Sequence, residues 1–168
     1  MILPPLILAS TSPYRRELLA RLRLALAKAQ AIAGAHPGAL VIGADQVAAA
    51  GERVLGKPGD AAHCRAQLAF LSGKTARFYT AGAVLGIGAG VRLAHVDTTT
   101  VVFRSLTADE IERYVACEQP YDCAGGFKAE GLGVALFECI ESQDPTALIG
   151  LPLIWLAGAL RGAGYHLP

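Results

Sequence analysis

A chain of 168 residues, 53% apolar and 17% charged, suits one folded domain over residues 1–168 with a sizeable core, and excludes a disordered chain. A net charge of +1 excludes a broad basic field, so no nucleic-acid partner is expected and any anion site must be local. No apolar run is long enough for a membrane span, and the apolar N-terminus lacks the basic start of a signal peptide. Cys64, Cys117, Cys123 and Cys139 show no C-x-x-C pairing, so the expectation is reduced thiols in the cytoplasm rather than a zinc site or a disulfide framework.

In chain order, Leu3–Ala9 reads as a buried strand. Ser12 as N-cap and Pro13 at the first helical position start a helix over about Tyr14–Leu22. The alanine-rich run from Leu24 to His36 is helical by propensity and stops at "HPG". A short buried strand follows at Leu40–Gly43, with a turn back at Gly51–Glu52. Asp60 caps a helix over Ala61–Leu71. Thr75–Gly88 and Val91–Arg104 read as two strands joined by "GIGAG" as a hairpin tip. Thr107 and Glu110 form a capping box opening a helix to about Cys117. Phe127 and Val134–Ile140 belong to a strand region, and a terminal helical stretch is broken at Gly150–Leu151–Pro152. Alternating strands and helices predict an α/β fold.

Four places carry candidate chemistry. Arg15 and Arg16 stand in the first turn of a helix, where the macrodipole favours acids. An anion held by Ser10, the free helix amides and a guanidinium fork explains them; two solvated surface arginines is the alternative. Asp45 follows directly on an apolar strand, where a carboxylate can serve as general base or hold a divalent ion, or simply bond its own turn. Lys57, in "LGKP", can offset phosphate charge or lie on the surface. In "AGGFKAEGLG" the glycines around Lys128 and Glu130 permit close backbone approach to a ligand, or form turns. "GIGAG" opens no helix and is set aside as a dinucleotide fingerprint.

Together, "LILASTSPYRRELL", "VIGADQV", "LGKP", "CAGGFKAEGLG" and "LIGLPL" resemble, in that order, the motifs of the Maf family of nucleotide pyrophosphatases. The resemblance implies an elongated, twisted mixed β-sheet flanked by helices, with a central cleft, similar to inosine triphosphatase. It implies hydrolysis of a nucleoside triphosphate to monophosphate and pyrophosphate with a divalent metal, Mg2+ or Mn2+. Carried over by motif, Asp45 is the proton acceptor and metal ligand, and Lys57 the second catalytic residue. Tyr14, Gln46 and Glu130 match positions that set base preference; Ser10, Arg15 and Arg16 match phosphate-binding positions. The partner implied is a small-molecule nucleotide, and a homodimer is compatible with it.

Within the family, "ADQ" with "FKAEG" resembles the branch acting on 7-methyl-GTP rather than the one acting on dTTP and UTP. Physical chemistry agrees with that branch. N7 methylation makes guanine cationic, so a Tyr14 ring stacked on it gains roughly 0.5–2 kcal/mol. Glu130 can accept from both N1–H and the N2 amino group, whereas glutamine accepts at one oxygen and carries no charge. A rival expectation is a nucleotide-binding regulator without turnover, since family members are linked to inhibition of septum formation.

One region departs from the family pattern. Between about residues 23 and 25 a strand and an acidic "D-E" element are absent, and "LLARLRL" runs straight into "ALAKAQAIA". The apolar pattern over Tyr14–Ile32 can also be read as a single long helix.

Overall fold

The computed structural model describes residues 13–168, with side chains from residue 18 onward. The expected Leu3–Ala9 strand and the Ser12 cap therefore lie outside the described residues.

The first described element is one helix, α1 (Pro13–Ala33), rather than two. It passes the junction at about residues 23–25 without a break because the alanines and leucines on both sides, with the arginines before it, favour the helical backbone. Its face is set by small side chains. Ala25, Ala29 and Ala33, spaced by four, are all fully buried. They let the helix lie close on the sheet at Gly43, where a Cβ would sit only 2.1 Å from the Ala25 carbonyl oxygen and 2.9 Å from the Ala29 nitrogen.

The sheet has five strands in the order β2-β1-β3-β4-β5: β1 (Val41–Ala50), β2 (Arg53–Leu55), β3 (Thr75–Gly86), β4 (Val91–Phe103) and β5 (Phe137–Glu141). Each pairing among them is antiparallel, so the described sheet is not mixed. β1 runs well beyond Gly43, because the alternation Gln46, Ala48, Ala50 keeps presenting small or bonded groups to one face; Gly51, at φ 57°, then turns it back as expected. The "GIGAG" stretch is the turn between β3 and β4, whose 12 and 13 residues give the sheet its length.

The other face of the sheet carries α2 (Ala61–Leu71), α3 (Ala108–Glu118) and α4 (Leu153–Gly162). Asp60 caps α2 by accepting from the His63 N–H at 2.9 Å. The Thr107–Glu110 capping box is complete. Glu110 accepts from the Thr107 amide and from Arg104, and its carboxyl is pulled down to about 2, first by the Thr107 amide and then by Arg104. Under these helices Phe78, Phe103, Phe127 and Phe137 pack edge to face with ring centres 4.8–5.6 Å apart. Val134 belongs to a 3-10 turn (Leu132–Leu136) rather than to a strand, and β5 starts only at Phe137. The break before α4 is a 3-10 turn (Pro145–Ile149) ended by Gly150 at φ 114°. No helix among the described residues is long and apolar enough to cross a membrane.

Candidate active site

Strand alternation sends neighbouring residues of β1 to opposite faces. Asp45 faces α1, where Arg21 and Lys28, seven residues apart, lie on one side of the helix. Arg21 donates from a terminal guanidinium nitrogen to Asp45 Oδ2 at 3.0 Å, and Lys28 Nζ donates to Oδ1 at 2.7 Å. Lys28 also donates to the Ala44 carbonyl at 2.9 Å. The Asp45 side chain is 13% exposed and that of Lys28 58%, so the lysine is the partner free to move.

Gln46 faces the other way. Its Nε2 donates to Thr80 Oγ1 at 2.9 Å and to the carbonyls of Ala147 at 3.0 Å and Leu148 at 3.1 Å. Thr80 Oγ1 in turn donates to the Ala147 carbonyl at 2.8 Å. This network fixes the amide orientation and ties β1 to the turn before Gly150. The amide's Oε1 has no donor among the described residues, and it is the atom through which Gln46 can accept.

β2 pairs only with Ala48–Ala50, so among the described residues no further strand flanks Ala44–Gln46 on that side. A cavity of about 360 Å³ opens there, with Asp45, Gln46, Lys28, Lys57 and Glu130 in its lining. That is the size of a small-ligand site. Lys57 comes from the loop after β2, and Glu130 from the segment after α3. The glycines of that segment act as turns: Gly125 and Gly126 have φ of 85° and 74°. A Cβ on Gly125 would stand 2.9 Å from the Phe127 ring. They return Phe127 to the core while Cys123 and Ala124 stay on the cavity wall. Lys128 leaves the cavity lining, donating to the Glu118 carbonyl at 3.1 Å, while its amide is held by the Tyr114 hydroxyl at 3.0 Å.

Of the residues expected from sequence, Asp45, Lys57, Gln46 and Glu130 thus share one cavity. Ser10 lies outside the described residues. Tyr14, Arg15 and Arg16 fall in the first turn of α1, and their side chains lie outside the described set. Arg21, Lys28, Asp122, Cys123 and Ile149 were not singled out as site residues. The seven-residue spacing of Arg21 and Lys28, with fully buried Ala25 between them, was the signal for the first two. The Cys123 thiol is pushed up, first by burial and then by the charge of Glu130; Asp122 adds to this, while Lys128 and Lys57 oppose it.

A divalent ion is the cofactor the resemblance implies. Among the described residues no group of three or more His, Cys, Asp or Glu is placed to hold one. Asp45 already has a cation on each oxygen. A single carboxylate between a guanidinium and an ammonium does not fit a protein-built metal site.

A protein of Xanthomonas oryzae pv. oryzae (strain KACC10331 / KXO85) named 7-methyl-GTP pyrophosphatase is 50% identical over 193 residues, covering 99% of this chain and 100% of the relative. That match is longer than the 168 residues here, so at least 25 positions of the relative have no counterpart in this chain. Proteins of the same name from Alkalilimnicola ehrlichii and Ralstonia nicotianae are 50% and 46% identical, each covering 98% of this chain and 96% and 98% of the relatives respectively. A family model described as Maf-like protein matches residues 20–163. By that match and by these relatives, the chain belongs to the Maf family.

Proposed function

We propose that the cavity at the β1 edge hydrolyses 7-methyl-GTP, or a closely related modified nucleoside triphosphate, to the monophosphate and pyrophosphate. The observation that carries the reading is the placement of Asp45, Lys28, Lys57 and Glu130 around one cavity. A base, two cations and a carboxylate acceptor are what cleavage of a cationic-base nucleotide requires. The names of the relatives support the substrate.

In this reading the triphosphate draws Lys28 off Asp45 Oδ1 and onto its own oxygens. Lys28 is the more exposed partner, so its move costs less than that of Arg21. Oδ1 then accepts a proton from a water attacking the α-phosphorus. Arg21 stays on Oδ2 and orients the carboxylate. Lys57 and Lys28 neutralise charge developing on the phosphate oxygens, the usual main source of catalysis in phosphoryl chemistry. Glu130 and Gln46 Oε1 are acceptors for the donors of the purine edge. Tyr14 would stack on the base, with Ser10, Arg15 and Arg16 on the phosphates. Any Mg2+ or Mn2+ requirement is assigned to the substrate's own phosphates, and no step is drawn through an ion. The chain would then act in the cytoplasm on free nucleotides, as a monomer or homodimer. The residues missing relative to the longer relatives are assigned to the junction at about residues 23–25 inside α1.

The test is a panel of 7-methyl-GTP, GTP, dTTP and UTP with magnesium, followed by pyrophosphate release. Preference for 7-methyl-GTP is expected; preference for UTP or dTTP contradicts the base assignment.

A second reading is a nucleotide-binding regulator without turnover. The double ion pair on Asp45 favours it, because both carboxylate oxygens are already taken by cations and neither stands open to a water. Tight nucleotide binding with no pyrophosphate in the same panel would establish it.

A further inference from the structure

We infer that Asp122 is a second selecting carboxylate, which with Glu130 makes one wall of the cavity acidic and recognises the positive charge of an N7-alkylated purine. This deepens the proposed function and rests on it. Both residues line the cavity, and both are exposed. Neither makes a hydrogen bond or ion pair among the described residues. Other acids nearby are engaged: Asp45 by Arg21 and Lys28, Glu118 by Lys128 and the Leu132 amide.

Two unpaired carboxylates repel a polyanionic substrate unless the part that meets them is cationic. Lys28 and Lys57 line the same cavity. A nucleotide with a positive base and a negative tail can satisfy both signs of charge in that lining; an ordinary purine nucleotide brings no cation for the carboxylates.

Asp122 is also held in place. Gln119 ends α3 in a left-handed conformation, φ 47°, and reverses the chain. The Tyr121 amide donates to the Gln119 carbonyl at 2.9 Å and the Cys123 amide to the Pro120 carbonyl at 3.3 Å. The Gly59 amide donates to the Tyr121 carbonyl at 2.9 Å, tying this wall to the loop that carries Lys57. A carboxylate on so fixed a backbone leaves only its own side chain to be ordered on binding.

The experiment compares dissociation constants of 7-methyl-GMP and GMP by calorimetry for the wild type, Asp122→Asn and Asp122→Glu, with 7-methyl-GTP turnover measured beside them. The preference for the methylated base should fall about two- to fivefold in Asp122→Asn, the size of a partly exposed charge pair, and return in Asp122→Glu. A merely structural role would weaken both ligands together and leave their ratio unchanged. An unchanged ratio in an enzyme that turns over 7-methyl-GTP overturns the role of Asp122 alone. A wild type with neither turnover nor preference overturns the proposed function and this inference with it.

Discussion

Asp45 and Gln46 are adjacent on β1 yet serve opposite faces of the sheet: Asp45 takes Lys28 Nζ at 2.7 Å on the α1 side, and Gln46 Nε2 gives a bond to Thr80 Oγ1 at 2.9 Å on the other. A cavity that wraps the strand edge receives both. The pair thereby joins a carboxylate anchored on a helix to an amide anchored on a loop.

Replacing Asp45 by asparagine keeps the shape and removes the proposed proton acceptor. Steady-state turnover of 7-methyl-GTP should fall by about 100-fold or more, the usual contribution of a general base. Nucleotide binding, measured by calorimetry, should persist, because the phosphate cations remain.

Glu130→Gln removes the charge and one acceptor oxygen at the base end. The ratio of 7-methyl-GTP to UTP hydrolysis should drop. A ratio equal to that of the wild type would remove Glu130 from base selection.

Gly43 is where α1 touches β1. An alanine there puts its Cβ 2.1 Å from the Ala25 carbonyl oxygen and 2.9 Å from the Ala29 nitrogen, both backbone atoms that cannot move aside cheaply. Urea unfolding should show a loss of about 1–3 kcal/mol. Because Arg21 and Lys28 ride on the same helix, activity should fall with it.

Asp97 is 5% exposed, and its Oδ1 has no hydrogen-bond partner among the described residues. Burial, and then the nearby Asp144, push its carboxyl above the ordinary value of 3.8; His95 and a bond from Ser142 oppose them. The folded protein therefore holds this proton more tightly than the unfolded chain. Its contribution is fully present below the ordinary carboxylate value and is lost as pH rises through the raised one. Asp97→Asn should raise the melting temperature at pH 7, and the gain should shrink toward zero at pH 3.

Much of this site can be read from the chain because its residues sit in short local motifs. The capping residues Asp60 and Thr107 announce α2 and α3, and the turn chemistry of "GIGAG" separates β3 from β4. Asp45, Lys57 and Glu130 stand in motifs whose surroundings are equally local. Arg21 and Lys28 are harder to read. They matter only because α1 runs unbroken past the junction, and helical propensity alone does not place a helix against one strand. The long β1 is likewise fixed by pairing with β3 from Val41 to Ala49, a non-local fact. Asp122 carries no motif of its own; only the turn after α3 brings it beside Glu130.

The most direct measurement is a single turnover of 7-methyl-GTP in 18O-labelled water, with both products analysed by mass spectrometry. Attack on the α-phosphorus by a water deprotonated at Asp45 puts the label in 7-methyl-GMP, and Asp45→Asn slows its appearance. Label in the pyrophosphate, or release of orthophosphate instead, would contradict the mechanism.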